Sequence, residues 1–326
     1  MIAFLLRRIS QGALVIAVMA VLVFVGVYAL GNPIDILINP EADQAERAQA
    51  IARLGLDRPL WVQFGVFVAA AVHGDLGTSF VHGVPAVELI LSRMPATLEL
   101  ALVALAIAVG AGVPLGLIAG LAPRSLFSRA VMVGSIFGFS LPNFWLGLML
   151  ILAFAVNLQV LPAGGRGETR EIFGIAWSLG TLDGLRHLIL PALTLAIYKG
   201  SLVVRLAYAG TREAMLQDFV RFARAKGLAP ARIVGVHVLK TVLIPVVTVL
   251  GLELGSMIAF AVVTETVFAW PGMGKLLIES IYRLDRPVIV AYLMVVVVMF
   301  VLINLAVDLI YMALDPRVRL SERSAA

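Results

Sequence analysis

Apolar residues run without a charge from Ile9 to Ile34, Leu100 to Ala122, Ala130 to Gly165 and Pro287 to Val307. Each run supplies the roughly 20 apolar residues that a helix needs to cross a bilayer core. Two further runs, Leu188 to Arg205 and Val242 to Thr264, are interrupted at Lys199 and Glu253. Both still span if those side chains face protein or water instead of lipid. The pattern predicts an all-α polytopic membrane protein with about six transmembrane helices. The first run follows Phe4-Leu5-Leu6-Arg7-Arg8. It exceeds the about 7–15 residues of a signal-peptide core and lacks a clean small-x-small site after it, so it reads as a retained span.

Composition agrees. Hydrophobic residues form 61% of the 326-residue chain and charged ones 14%. A water-soluble core of this length could not hide so much apolar surface, so part of the solvent is lipid. The net charge of +5 is explained by its placement. The N-terminus, Pro123–Arg129, Arg205–Lys240 and the tail after Tyr311 hold 14 Lys and Arg against four acids. The alternate segments, Asp35–Met94, Asn157–His187 and Glu265–Arg286, hold 10 basic residues against 13 acidic. The positive-inside rule therefore predicts both termini in the cytoplasm. Basic charge used to set topology is no argument for nucleic acid.

The chain divides into residues 1–34 (N-terminus and first span), 35–95 (an external segment) and 96–326 (a permeation core with an inner loop near 208–240). In the external segment, Asn39-Pro40-Glu41 predicts the start of a short helix closed by Gly55. Trp61–Val72, a dozen apolar residues, suits an interfacial helix. It serves either as a lid over the bundle or as a docking surface for a delivery protein. In the inner loop, Met215, Phe219 and Phe222 or Ala223 share helical spacing, with Arg221 and Arg224 on another face. Gly227-Leu228 has the form of a left-handed helix cap, and Pro230 starts a new helix. That pattern describes a protruding helical knob or a basic helix resting on anionic lipid. Prolines inside spans at Pro114, Pro142, Pro191 and Pro245 each remove a backbone donor and favour a kink.

Catalytic chemistry finds few residues. The chain has no cysteine, hence no disulfide or thiolate nucleophile. His73, His82, His187 and His237 form no close metal-ligand spacing, and no GxSxG occurs. Lys240-Thr241 follows Leu239 without the glycine-rich loop that wraps phosphates. The prediction is a chain without its own ATPase site, cofactor or metal. Glu99, Asn143, Lys199 and Glu253 remain as candidate pathway or intramembrane polar residues. Glu99 lies near a span end and is predicted to reach polar surroundings. Lys199 and Glu253 are deeper, and the plainer account is an inter-span ion pair.

At the inner loop the residues resemble a known family. Asp218-Phe219-Val220-Arg221-Phe222-Ala223-Arg224-Ala225-Lys226-Gly227-Leu228 is similar to the coupling loop of ABC-importer permeases of the dipeptide, oligopeptide and nickel branch. Gly74-Asp75-Leu76-Gly77-Thr78-Ser79, Ala96-Thr97-Leu98-Glu99-Leu100, Thr264-Glu265-Thr266-Val267-Phe268-Ala269-Trp270-Pro271-Gly272-Met273-Gly274, Asn304–Tyr311 and Asp315–Arg319 agree in order and place. The resemblance implies a type I ABC-importer permease fold in a bacterial inner membrane. It also implies a homologous second permease, two ATPase subunits or one fused ATPase that bind the ATP, and an external substrate-binding protein. The knob would then be the element that meets an ATPase. Short peptides are the implied cargo, with glutathione, nickel chelates and oligosaccharides as alternatives. Two departures stand out: Phe222 replaces a smaller polar residue, and Leu30-Gly31-Asn32-Pro33 lacks the acid of the usual Pro-Gly-Asp-Pro turn. A secondary transporter is the rival reading, but it would need an ion-coupling site and inverted repeats.

Overall fold

The computed structural model describes residues 2–29, 44, 52 and 57–314. The predicted helix over 39–55, apart from two isolated positions, the turn at 30–33 and the motif at 315–319 lie outside the described residues. In chain order come α1 (Ile2–Ala29), α2 (Leu60–Val72), α3 (Ala86–Leu121), α4 (Leu126–Ser140) and α5 (Asn143–Leu150), which continues as a π-helix over Ile151–Asn157. A small hairpin follows, β1 (Arg170–Ile172) against β2 (Ile175–Trp177), antiparallel with Ile172 opposite Ile175. Then come α6 (Leu182–Leu216), α7 (Asp218–Ala225), α8 (Leu239–Val267), α9 (Met273–Tyr282) and α10 (Arg286–Leu314). A short α-turn and a π-helix over Ile233–Val238 lead into α8.

Among the described residues five helices are long and apolar enough to cross a membrane, and α4 with α5 makes a sixth if the two count as one broken span. The charge-free run from 130 to 165 is thus not one straight helix. It turns by 108° between α4 and α5. The cause is Pro142: a proline pushes the residue before it out of the helical region, and Leu141 sits at φ −77° and ψ 134°.

The chain forms two compact units, one of 1–95 with 272–302 and one of 96–271 with 303–326. In the first unit α1 and α10 run antiparallel. A β-carbon at Gly12 would meet Val301, while Ala20 and Val23, further along α1, pack with Val290 and Met294. Phe24 of α1 holds α2 by an edge-on contact to Phe64, with ring centroids 5.2 Å apart. No residue of α2 is buried, and Trp61 is 76% exposed. The loop at 74–85 is tied down by Asp285, whose carboxylate accepts from Ser79 Oγ at 2.5 Å and from the Phe80 amide at 3.0 Å.

The second unit is built around α3 and α6. Gly112, Gly116 and Gly120 recur every four residues on α3, and a β-carbon there would strike Val203, Ala207 and Thr211 of α6. Small residues at this spacing let two helix backbones touch. The numbering rises together on both helices, so α3 and α6 are parallel. The chain must therefore return between them, and α4–α5 is that return: a broken crossing instead of a re-entrant loop. Elsewhere the order alternates. Gly138 of α4 faces Ile197 and Ser201 while Val131 borders Val204, so α4 opposes α6. Asn143 meets Thr264 and Gly147 meets Val267, so α5 follows α8.

Candidate functional site

Three constellations came from the sequence: the knob, the intramembrane polar residues, and Glu99. At 35 residues and about 1.5 Å per residue, α6 is about 52 Å long, well beyond the roughly 30 Å of a hydrocarbon core. Its far end can therefore stand clear of lipid. There the helix stops at Gln217, with φ −72° and ψ 151°, and α7 begins in a new direction. The end of α7 is closed by two backbone bonds. The Gly227 amide donates to Arg224 O at 2.9 Å and the Leu228 amide to Ala223 O at 3.2 Å. With Gly227 at φ 74° this is the paired-bond glycine cap that the Gly227-Leu228 pattern predicted.

The buried face of the knob keeps Met215 and Ala223 of the predicted stripe but not Phe219 or Phe222. Val220 and Ala223 are buried against Ile233, Val238 and Val242, whereas Phe219 is 37% and Phe222 63% exposed. The break at Gln217 resets the helical phase, so counting from Met215 puts Phe219 on the wrong side. The result is an apolar tip of Leu216, Phe219 and Phe222 ringed by charge. Arg221 pairs loosely with Asp218 at 3.5 Å, both exposed, and Lys226 Nζ lies 4.5 Å from the Phe222 ring centroid. Arg224 and Ala225 are exposed beside them.

The 108° break in the third crossing opens a cavity of about 690 Å³, walled by α4, α5, α6 and α8. Lys199 of α6 and Glu253 of α8 face it and are bonded to each other. Lys199 Nζ also donates to Ser256 Oγ at 2.9 Å, and Ser256 Oγ donates to Glu253 at 2.8 Å. Asn143, at the break itself, donates to Thr264 Oγ1 at 2.9 Å. Its Oδ1 is buried without a partner. The inter-span pair is thus formed, and it stands in a cavity with Asn143.

Glu99 is elsewhere. It is fully buried, its polar surroundings are supplied by protein groups, and it is absent from the cavity wall. Its carboxylate accepts from Arg166 Nη2 at 2.8 Å and from the Leu179 amide at 2.9 Å. Arg166 also donates to Ser178 Oγ and lies 5.7 Å from the ring centroid of Trp270. Trp270 Nε1 donates to Ala96 O at 2.9 Å, and the Gly165 amide donates to Phe268 O at 2.8 Å. Glu99 therefore fastens the segment after the third crossing onto the start of α3 and the end of α8. Sequence reasoning missed Arg166 and the buried Glu265, which accepts from Thr97 Oγ1 at 2.5 Å. The glycines that flank Arg166 and the charge inside the Ala96–Leu100 motif were the available signals.

The architecture matches known proteins in three ways. Residues 112–320 match the family described as "Binding-protein-dependent transport system inner membrane component", and residues 1–101 match its N-terminal counterpart. The dipeptide transport system permease protein DppB of Escherichia coli K12 is 35% identical over 98% of this chain and 99% of its own. The di/tripeptide transport system permease protein DppB of Pseudomonas aeruginosa UCBPP-PA14 is 40% identical over 89% and 90%. Among solved structures, an inward-facing MetNI methionine ABC transporter chain aligns with a TM-score of 0.54 at 18% identity, covering 70% of this chain and 96% of that one. That last likeness speaks for the fold alone.

Proposed function

Because this chain belongs to the family of binding-protein-dependent inner-membrane transport components, we propose that it is the permease subunit of an ATP-driven importer of short peptides. It forms half of the pathway, and a homologous permease completes it. Separate or fused ATPases bind the ATP, and an external binding protein delivers the cargo. Both termini and the knob face the cytoplasm, which the basic bias of those segments supports. The cavity bordered by Asn143, Lys199 and Glu253 is this chain's share of the path.

The observation that carries the reading is the knob. A short helix, capped at Gly227 and carried on the over-long α6, offers two partly exposed phenylalanines to water. An apolar anchor inside a charged rim is the anatomy of a protein–protein contact. In the assembled importer Phe219 and Phe222 fill a cleft of an ATPase. Closure of the ATPase pair moves α7, and α6 and α8 transmit that motion to the cavity as a rigid-body switch.

Replacing Phe219 and Phe222 by alanine tests this. Both are exposed, so this subunit keeps its fold and its level in the membrane. The ATPases should no longer co-purify with it, and ATP-dependent uptake should stop. Full retention of the ATPases together with normal uptake would assign the knob no role in coupling.

A further inference from the structure

We propose that Lys199, Glu253 and Asn143 form a subsite for the two ends of a zwitterion: a carboxylate on Lys199, an ammonium on Glu253 and Asn143 Oδ1. The inference rests on the peptide-importer reading above and makes it specific.

Among the described residues, Glu99 pairs with Arg166 and Glu253 with Lys199, and the two pairs are built differently. At Glu99 the carboxylate is fully buried, each oxygen has a partner, and the residue does not line the cavity at Lys199. That pair is finished. At Glu253 the side chain is 28% exposed and that of Lys199 14%, and both face about 690 Å³ of open space. Bonding capacity is left over. Lys199 has three donors and uses two, on Glu253 and Ser256. Among the described residues Glu253 Oε2 takes both of its side-chain bonds and Oε1 takes none. Asn143 Oδ1 is buried and unmatched. Lys199, Glu253 and Asn143 thus line a single cavity with one spare donor and two spare acceptors between them, Asn143 Oδ1 itself being covered, and a buried acceptor left unpaired is costly. The cavity offers charge of both signs, so neither an anion nor a cation alone would use it fully.

The wall beside Lys199, whose Nζ lies 5.4 Å from the Tyr198 ring centroid, fits the body of such a ligand. Tyr198 stacks on Phe139 with ring centroids 5.3 Å apart, and the Arg205 guanidinium lies 4.6 Å from the Phe139 ring centroid. The stack is a rigid apolar surface against which side chains of many shapes can lie.

The closed pair also explains how such a site could avoid trapping its cargo. To bind, the ligand's carboxylate replaces Glu253 on Lys199 while its ammonium replaces Lys199 on Glu253. Two ion pairs take the place of one pair and the ligand's own hydration. The exchange is near balance, and a conduction site needs occupancy that is favourable yet easily reversed. A ligand whose carboxylate is blocked as an amide still offers Lys199 a carbonyl acceptor but no negative charge, so it cannot take the place of Glu253 and loses the charge-assisted part of the contact, a factor of about ten.

The test uses the complete importer in proteoliposomes, with binding protein supplied in saturating, preloaded form so that delivery is not limiting. Uptake per ATP hydrolysed is compared for dialanine and dialanine amide. Wild type should favour dialanine by about tenfold. Lys199→Met should reduce that preference to near parity, a ratio of two uptakes in the same vesicles that does not depend on the variant's overall rate. Lys199→Met combined with Glu253→Gln removes both charges, leaves no unpaired carboxylate in the bundle, and should show the same parity if the single variant fails to assemble. An undiminished preference in either variant would overturn the subsite and leave the importer reading intact. Uptake of neither peptide by wild type would overturn both.

Discussion

Gly227 sits at φ 74° with open space where a β-carbon would stand, so replacing it strains the backbone without a clash. A left-handed conformation costs a residue with a β-carbon about 1–2 kcal/mol, and a β-branched one suffers most. Gly227→Val should loosen both closing bonds of α7 and uncouple ATP hydrolysis from transport, whereas Gly227→Asn, which tolerates this conformation, should retain most of it. The check is the ratio of peptide transported to ATP hydrolysed in membranes with matched complex levels. A normal ratio in the valine variant would remove this glycine from the coupling path. The cap was legible in the sequence because it is local: a glycine, an apolar residue after it, and a helix before it. The buried face of α7 was legible only at Ala223. Its phase is set by the break at Gln217, and nothing in the pattern of Met215 and Phe219 announces that break. Glu99 was visible as a charge inside a span, but its partner Arg166 lies 67 residues away. Spacing rules reach along one helix and do not identify such a partner.

At the scale of elements, four prolines were flagged as kink sites, and only Pro142 divides a span. Pro191 and Pro245 lie inside continuous helices. A proline always removes a donor, but whether the helix ends depends on the conformation of the preceding residue, which neighbouring helices can override. The parallel packing of α3 on α6 is what makes α4–α5 one crossing, and it predicts opposite sides for the segments that flank it. The chain is free of cysteine, so single cysteines report without background. An impermeant thiol reagent outside intact cells should label Thr169→Cys and leave Arg124→Cys and Ala229→Cys untouched. Arg124, Thr169 and Ala229 are all exposed, so a difference in labelling reads the side of the membrane. Labelling of both Arg124→Cys and Thr169→Cys would mean that α4–α5 enters and leaves on one face.

For the whole molecule, six apolar runs and the alternation of basic and acidic segments were sufficient to outline the fold. The cavity was beyond the sequence, since its walls come from four helices and its opening from one bend. As the proposed permease subunit, the molecule is part of a machine: a half-pathway with a cavity that carries an ion pair, and an apolar knob for an ATPase cleft. Uptake by liposomes tests that account most directly. Vesicles holding this chain alone, with an imposed proton or sodium gradient and no ATP, should accumulate no dipeptide. Adding the partner permease, the ATPases, the loaded binding protein and ATP should start accumulation. Robust gradient-driven accumulation by the chain alone would contradict the account and make this protein a secondary transporter.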